Sequence, residues 1–547
     1  MKIAIENRHL MRHLYIILIF ISIQVAAQQV YFVSPAGNDA GNGTQQAPFK
    51  TIGKALTVSN AGAEIVLRSG IYNESLRIQD ENITIRSFEG ETVTITTNNT
   101  NGSPDQTIWF QEEGGKLINL NVVGGFYYAV KFEKGDGLIK NSRIHDSGRD
   151  CIKIVPGANN ITIENCEIYN SGQRDNSNAE GIDNVNGDGF VLRESYIHDT
   201  GTTGVYVKGG GRNCLIERNL IMNTGNAGIL LGFFTDEEFY RLDNDADTNP
   251  EYYGNIDGVV RNNIIVNTSG PGIGLFASLN SKVYNNTLVN VAEDSRGGIH
   301  FEPLDDDGNG TPTPVVNPTM TNNILVMSST RPILEGRKIG AVNSMSGTIS
   351  INHNLYHRVT GAPSFSLNGT GNKNFTQWKT DTGLDAQSIA SNPLLDANYH
   401  LSANSPAIGN GQTISINTLD YDRGGREQPF DIGADQFAEG CESVIPPALG
   451  TIGTGADCGD PEVITDLEEY NHKIHAYPSP AGFKIYVGHE NNIAGAFVII
   501  DLNGRKIMFG DYTQEGIDIS KLENGTYILK TYDKNGTPSN SKFTVSK

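Results

Sequence analysis

Four ionisable side chains of this 547-residue chain could carry out chemistry together. Asp150, Glu180 and Asp183 supply carboxylates, and Lys208 supplies an amine. A lysine can abstract a proton next to a carboxylate group if burial or nearby cations lower its pKa, and a bound Ca²⁺ ion would also neutralise the charge that develops. Two carboxylates can instead cleave a glycosidic bond as an acid and a nucleophile or base. These residue types therefore predict β-elimination on an acidic sugar chain or, alternatively, glycoside hydrolysis.

A further group of residues is predicted to bind ligands around these four. The predicted Ca²⁺ site consists of hard oxygen donors that are close in sequence: Glu180, Asp183 and Asp188. The side chains predicted to contact the substrate are Lys153, Tyr206, His198, His300 and Glu302, the last two as distal contacts. For any one of these residues alone, a solvated surface role is the simpler alternative, because an exposed ion pair contributes about 1 kcal/mol or less.

These residues can meet only if the chain folds in regular turns, and a repeated phrase indicates such turns. It reads GLIKNSRIHDSG from Gly137, ITIENCEIYNSG from Ile161 and FVLRESYIHDTG from Phe190. Its aligned aliphatic residues are Ile144, Ile168, Ile197, Ile221, Ile265, Leu288 and Leu325. A period in the low twenties, with β-branched residues and Asn/Gly turns, is typical of a solenoid built from strands. We therefore predict an all-β fold, a parallel β-helix with occasional long loops.

The strand that follows each phrase would place the candidate residues on one face. These strands read CIKIV from Cys151, GIDNV from Gly181 and GVYVK from Gly204. Apolar residues take most second and fourth positions and should point inward, so the third and fifth positions point outward. Lys153, Asp183 and Lys208 then face outward, and Asp150 and Glu180 lie in the turns just before their strands. Because adjacent turns are about 4.8 Å apart, these five residues are predicted to form a compact group.

Both ends of this region resemble those of secreted right-handed parallel β-helix enzymes of the pectate-lyase-like superfamily. They read YFVSPAGNDAGNGTQQAPFKTIGKAL from Tyr31 and SPAIGNGQTISINTLDYDRGGREQPFDIGADQF from Ser405. Acidic residues on one turn followed by an outward lysine on the next resemble the plan of family nine pectate lyases. This resemblance implies a calcium-dependent polysaccharide lyase in which Lys208 is the base. The same superfamily includes hydrolases of sulfated fucans, so the fold alone does not select the reaction.

The last part of the chain has a different pattern. From Lys473 it contains KIHAYPSPAGFKIYV, AFVIIDLNGRKI and ISKLENGTYILKTY, which are alternating strands joined by turns. These phrases resemble the C-terminal sorting domain of the type nine secretion system, which implies recognition by that machinery and delivery to the cell surface or beyond. We predict a signal peptide at 1–27, the β-helix at 28–437, a linker at 438–472 and a small β-sandwich at 473–547.

Charge and apolar content limit the partners of this chain. The predicted signal peptide has a basic flank, an apolar run at 14–25 and small residues ending at Ala27. That run is too short to span a bilayer comfortably and no later stretch is longer, so no transmembrane segment is predicted. Asp and Glu outnumber Lys and Arg by 62 to 41, giving a net charge of −21 that argues against a nucleic-acid partner. An acidic polysaccharide stays compatible, because a basic strip or bound cation can reverse the local field.

Together these patterns predict a secreted, monomeric, polysaccharide-degrading enzyme. Its predicted reaction is cleavage of an acidic polysaccharide by β-elimination with a lysine base and Ca²⁺. The first alternative is a glycoside hydrolase that cleaves an anionic polysaccharide, such as a sulfated fucan, with paired carboxylates. The second alternative is a non-catalytic carbohydrate-binding protein of the cell surface.

Overall fold

The computed structural model describes residues 28–97, 105–240, 252–305, 310–437, 445–447 and 452–453, together with strands and turns between 474 and 547. The chain divides into two compact units, residues 1–460 and 461–547. The predicted signal peptide at 1–27 and most of the predicted linker at 438–472 lie outside the described residues. Within the described residues, no helix has both the length and the apolar composition needed to cross a membrane.

The first unit is a parallel β-helix whose successive turns contribute strands to three twelve-stranded sheets. Sheet one contains Val30–Val33, Glu64–Leu67, Thr84–Ser87, Lys116–Ile118, Leu138–Lys140, Thr162–Glu164, Val191–Arg193, Leu215–Glu217, Val259–Arg261, Lys282–Tyr284, Thr319–Thr321 and Ser350–Asn352. Sheet two contains Gly70–Asn73, Val93–Thr97, Asn121–Gly124, Arg143–His145, Glu167–Tyr169, Tyr196–Thr200, Leu220–Thr224, Ile264–Thr268, Thr287–Val289, Ile324–Met327, Leu355–Arg358 and Ile389–Ala390. Sheet three contains Leu76–Ile78, Gln106–Phe110, Tyr128–Phe132, Ile152–Ile154, Ile182–Val185, Val205–Lys208, Ile229–Leu231, Ile273–Phe276, Ile299–Glu302, Leu334–Gly336, Ser364–Leu367 and Asn372–Asn374.

Smaller sheets complete the two units. A five-stranded sheet in the turns of the β-helix contains Gly211–Arg212, Asn255–Ile256, Ser278–Leu279, Val315–Val316 and Met345–Ser346. The second unit has a three-stranded sheet, Ile474–Tyr477, Lys484–His489 and Ile517–Asp518. Its four-stranded sheet contains Ala496–Asp501, Lys506–Asp511, Gly525–Tyr532 and Pro538–Val545. Strands in both of these sheets pair antiparallel, as the predicted small β-sandwich requires.

In-register pairing of the parallel strands builds the core. The aliphatic residues aligned by the repeated phrase are paired from turn to turn in sheet two: Ile144, Ile168, Ile197, Ile221, Ile265, Leu288 and Leu325. All seven are completely buried. Each side chain therefore packs on its counterpart in the next turn, and the prediction of a parallel β-helix is confirmed.

Short helices lie near the two ends of this core. Helix α1, Ile52–Val58, begins at Thr51, whose side chain accepts a hydrogen bond from the backbone of Lys54. Helix α2, Phe375–Thr382, carries the buried Trp378, whose ring lies 5.3 Å from that of Phe365. By covering apolar residues of the terminal turns, both helices limit the exposed strand edges of the solenoid.

Two adjacent columns of asparagine line the turn between sheets one and two. The recurring residues Asn141, Asn165, Asn262, Asn285 and Asn322 have positive φ angles of 49° to 60°, which asparagine tolerates well. A second column lies in the interior: Asn219, Asn263, Asn286, Asn323 and Asn354. Asn286, for example, donates to the carbonyls of Val260 and Tyr284 at 3.0 Å. It also donates to Asn323 at 2.9 Å and accepts from Asn263 at 3.0 Å. This interior ladder provides partners for polar groups that no water reaches.

The segment at 392–437 folds back over the outer face of sheet two. Asn417 exchanges hydrogen bonds with Asn262, and the carbonyl of Asp431 accepts from Asn285 at 3.0 Å. Arg426 donates to Asn262 at 2.8 Å. Apolar residues of the segment, including Tyr421, bury the sheet beneath them. This part of sheet two is therefore closed to ligands.

A buried ion pair lies under the same segment. His400 is fully buried, and its Nε2 lies 2.7 Å from a carboxylate oxygen of Asp422. Burial favours the neutral imidazole, but the hydrogen bond to Asp422 and the charges of Asp435 and Asp396 raise the pKa of His400 to about 9. The pair therefore stabilises the folded segment while His400 is protonated.

Replacing Asn286 with alanine is expected to lower the free energy of unfolding by about 2 kcal/mol, because its buried partners would lose their hydrogen bonds. Urea unfolding followed by circular dichroism would measure this change. Asn372→Ala is the matched control, since Asn372 is exposed and its loss should change stability by less than about 0.5 kcal/mol. Equal effects of the two substitutions would contradict a stabilising role for the interior ladder.

The charge of His400 predicts a loss of stability at alkaline pH. Because the pKa of His400 is raised from 6.5 to about 9, the pair contributes fully below pH 6.5 and its contribution disappears as the pH rises through about 9. The expected total is roughly 3 kcal/mol, from about 1.4 kcal/mol per pKa unit. Urea unfolding of the protein and of His400→Gln between about pH 6 and pH 10 would test it. An identical pH dependence in both proteins would refute the prediction.

Candidate functional site

One of the outward columns of sheet three runs in register through several of the candidate residues. The column reads Arg77, Trp109, Lys131, Lys153, Asp183, Tyr206, Leu230, Gly274, His300, Glu335 and Ser366. The flanking residues of the central strands, such as Ile152, Ile154 and Ile182, are completely buried in the core. These apolar neighbours fix which side chains face outward.

Three carboxylates meet in the middle of this column. Asp183 lies on its strand, and Asp150 and Glu180 lie in the turns that precede theirs. One oxygen from each residue lies within 4.8 Å of the other two, although Asp150, Glu180 and Asp183 are only 1%, 7% and 1% exposed. Thr202 donates a hydrogen bond to Glu180 Oε1 at 3.0 Å, and the backbone of Glu180 donates to Asp150 at 3.2 Å. Among the described residues, the buried Glu180 Oε2 has no hydrogen-bond donor, and Asp183 Oδ1 pairs with the Lys208 amine at 3.4 Å.

Two lysines approach these carboxylates from different directions. Lys153 donates to Asp183 Oδ2, and its Nζ lies 3.7 Å from Asp150 Oδ2. Lys208 Nζ lies 3.4 Å from Asp183 Oδ1 and 4.0 Å from the centre of the Tyr206 ring. The Lys208 side chain is 15% exposed, so it lies at the rim of the group.

Charge and burial act differently on the three groups of the site. Burial and the nearby Glu180 carboxylate raise the pKa of Asp150. Burial also acts on Asp183, but Lys153 and Lys208 hold its pKa below the usual range. Burial opposes the charge of Lys153, yet Asp183 and Asp150 raise its pKa. Three carboxylates face two ammonium groups, so an added proton or cation would balance the charge.

An aromatic cluster covers the side of the site that follows Lys208. The hydroxyl of Tyr206 donates to the carbonyl of Phe234 at 2.9 Å, and Tyr206 packs with Leu230 and Phe276. The Phe233 ring lies 4.7 Å from that of Phe276. Phe234 itself is 63% exposed. This cover explains why acids on an outward face are shielded from water.

The opposite side of the site carries cations and aromatic rings. Arg77 lies 4.4 Å from the centre of the Trp109 ring, and Lys131 lies 5.0 Å from it. Tyr128 lies nearer the acids, with its ring centre 5.8 Å from Lys153 Nζ. The face is therefore asymmetric, with basic residues before the acids and apolar residues after them.

The structure brings together five residues of the predicted site: Asp150, Lys153, Glu180, Asp183 and Lys208. It differs from the predicted group in one respect, because the carboxylates are buried and do not project into solvent. Oxygen donors in this number and proximity could hold a divalent cation, and Glu180 Oε2, which has no hydrogen-bond donor among the described residues, is suited to such an ion.

Two predicted site residues lie elsewhere. Asp188, a predicted Ca²⁺ ligand, lies in the turn after its strand, where its carboxylate accepts the backbone N–H of Arg212 at 2.8 Å. His198, a predicted substrate contact, belongs to sheet two. Its ring stacks between those of Tyr169 and Tyr196, at 4.9 and 4.0 Å. Neither residue lies with the three carboxylates. The predictions that Asp188 is a Ca²⁺ ligand and that His198 contacts the substrate at this site are therefore corrected.

Three other residues predicted to contact the substrate interact with side chains of the protein instead. Tyr206 is buried beneath Lys208 and cannot stack on a sugar ring. His300 is fully buried, with Nε2 2.8 Å from Glu302 and Nδ1 3.2 Å from Glu335. Arg296 also approaches Glu302, at 3.4 Å. This ionic network corrects the prediction for His300, whereas Glu302, whose side chain is 16% exposed, remains a predicted distal contact.

Sequence reasoning missed several residues that shape the site. Thr202 precedes its strand in nearly the same position as Glu180, a positional signal that could have identified it. Tyr128 begins the strand that pairs with the strand of Lys153, and it takes the position that Asp150 takes one turn later. Glu335 pairs with His300 from the next turn of the helix, but a long loop separates them in sequence. Its role could not be read from the repeated phrase.

Family models match most of the described chain. Residues 31–206 match a Pel9A-like, right handed beta helix region, and residues 128–375 match a right handed beta helix region. The predicted handedness is therefore confirmed. Residues 475–546 match a secretion system C-terminal sorting domain, which confirms the predicted sorting domain and indicates a secreted or cell-surface protein.

Individual proteins show weaker similarity. The uncharacterized protein YwoF of Bacillus subtilis (strain 168) is 36% identical over 69 residues, which are 12% of this chain and 15% of that protein. The crystal structure of pectate lyase Pel9A is 14% identical, with a TM-score of 0.48, over 76% of this chain and 98% of that one. The A-module of the Azotobacter vinelandii mannuronan C-5 epimerase AlgE6 is 13% identical, with a TM-score of 0.45, over 66% and 89%. None of these similarities assigns a reaction to this chain.

Proposed function

We propose that this protein, which joins a Pel9A-like right-handed β-helix region to a secretion-system sorting domain, is a secreted polysaccharide lyase. Its substrate would be an acidic polysaccharide, cleaved by β-elimination with Lys208 as the base. One observation carries this proposal: a partly exposed amine lies 3.4 Å from a group of three buried carboxylates.

The reaction needs a base and a means of stabilising negative charge. Lys208 would remove the proton from the carbon next to the sugar carboxylate. The electron pair left behind forms a double bond to the neighbouring carbon, the glycosidic C–O bond breaks, and the departing oxygen takes up a proton. Negative charge accumulates on the carboxylate of the sugar during proton removal, so a nearby positive charge accelerates the step.

Asp150, Glu180 and Asp183 would hold the cation that this chemistry calls for. A bound Ca²⁺ would neutralise the sugar carboxylate and, with its preference for six to eight oxygen ligands, leave coordination positions for water and substrate. The Lys208 amine lies 3.4 Å from Asp183 Oδ1 and 4.0 Å from the centre of the Tyr206 ring. A cation bound to Asp183 would weaken the pairing of that carboxylate with Lys208 and free the amine to act as a base.

Burial of the carboxylates favours the lyase over a hydrolase. In glycoside hydrolysis, one carboxyl group must reach the glycosidic oxygen and the second must reach the sugar or a water molecule. Asp150 and Asp183 are each 1% exposed, whereas Lys208 is reachable from the rim. The Asp150 and Asp183 pKa values are shifted in opposite directions, which is a pattern of acid–base pairs. A hydrolase would need these buried carboxyl groups themselves to contact the glycosidic bond, whereas the lyase needs them only to hold a cation that contacts the sugar.

Substituting Lys208 with alanine is expected to reduce kcat by at least about 100-fold, because proton abstraction loses its base. The assay would incubate the protein with pectate, alginate, glycosaminoglycans and fucans, and follow the unsaturated product by its absorbance near ~235 nm. Lys282→Ala is the matched control, since Lys282 is a half-buried lysine of sheet one. New reducing ends without absorbance would favour the hydrolase, and binding without cleavage would favour a carbohydrate-binding protein.

Removing divalent cations is expected to abolish elimination. Full chelation with EDTA followed by addition of Ca²⁺ should stop and then restore the absorbance increase, because the sugar carboxylate would lose and regain its counter-charge. Glu180→Gln should require a higher Ca²⁺ concentration for the same rate. Full activity after chelation would eliminate the metal from the proposal and leave the role of Lys208 to its own test.

A further inference from the structure

Lys153 lies closer to the three carboxylates than any other cation of the described residues. Its amine donates to Asp183 and lies 3.7 Å from Asp150. The two buried neighbours on its strand, Ile152 and Ile154, hold the backbone in register with the strand of Asp183. The position of this amine among the acids is therefore built into the β-helix.

The charge of Lys153 is what permits the burial of its partners. A buried carboxylate without a counter-charge is strongly unfavourable. Lys208 lies at the rim and approaches only Asp183, so Lys153 is the cation that reaches two of the three acids. Three carboxylates and two amines leave one negative charge in excess.

A divalent cation would compete for the same oxygens. An ion bound by Asp150, Glu180 and Asp183 would lie within a few ångströms of the Lys153 amine, because one oxygen from each residue lies within 4.8 Å of the others and the amine already contacts Asp183 and Asp150. Two positive charges at such a distance in a water-poor site repel each other strongly. The metal and the amine therefore cannot both occupy the centre of the group.

We propose that Lys153 is a built-in counter-ion that a divalent cation must displace. The inference rests on the metal-binding part of the proposed function. In the metal-free protein the amine neutralises the acids. When the metal enters, the amine moves outward, where the ring of Tyr128 provides a favourable surface and the carboxylate of an acidic sugar provides a new partner. Lys153 thereby lowers the affinity for the metal and couples its binding to that of the substrate.

Calorimetric titration of the chelator-treated protein with Ca²⁺ would test this competition. Lys153→Met keeps most of the side-chain volume and removes the charge, so it should bind Ca²⁺ at least about tenfold more tightly than the natural protein. Lys131→Met is the matched control, because Lys131 occupies the same column one strand away and pairs with Glu133 at 2.8 Å. Its affinity for Ca²⁺ should remain that of the natural protein.

Thermal unfolding gives a second readout that does not depend on activity. Without metal, Lys153→Met should unfold at a lower temperature than the natural protein, and Ca²⁺ should raise its unfolding temperature more than that of the natural protein. Lys153→Arg keeps the charge and should bind Ca²⁺ as weakly as the natural protein. This variant tests the inference even if Lys153→Met folds only with metal.

Equal or weaker Ca²⁺ binding by Lys153→Met would overturn the inference, as would tighter binding by Lys153→Arg. Failure of the lyase proposal would look different, since no substrate would give the absorbing product while the order of Ca²⁺ affinities stayed as stated. Elimination combined with equal affinities would retain the lyase and reject the competition.

Discussion

The in-register pairing of parallel strands is the constraint on which the rest of this structure depends. Each turn repeats the last at a spacing of about 4.8 Å, so a residue's neighbours are its counterparts in the turns before and after it. A shift of one residue would exchange the inner and outer faces. Ile152, Ile182 and Val205, all buried, thus determine that Lys153, Asp183 and Tyr206 form an outward column. The packing of the core therefore determines which side chains form the candidate site.

Burial gives the candidate site its chemical character. Outward carboxylates would ordinarily be hydrated, but the Phe233–Phe234 segment and the Tyr206 ring cover one side of this group. In such surroundings each charge needs a specific partner, and the lysines meet that need in different ways. Lys153 pairs with Asp183 and Asp150 inside the group, whereas Lys208 pairs with Asp183 from its edge. The same face is basic before the acids and apolar after them, so an anionic ligand would encounter two unlike halves.

Much of the fold and the centre of the site could be predicted from sequence, because both arise from the repeat. The column from Ile144 to Leu325 follows from one recurring phrase, and so does the proximity of Asp150, Asp183 and Lys208. The predictions that were wrong concern residues whose surroundings come from segments without a repeat. The cover over the acids comes from an insertion after Gly232, and the partner that buries His300 lies beyond another long loop. His198 was misplaced for a different reason, since its phrase belongs to a neighbouring sheet.

The returning segment at 392–437 changes how this solenoid should come apart. An open solenoid can fray from either end, because each turn contacts only the next. Here Asn417 reaches Asn262 across 155 positions, and Arg423 reaches Glu194 across 229. These links join turns that are otherwise connected only through their neighbours. Because the returning segment links their turns, we expect the middle and the end of the β-helix to unfold as one cooperative unit.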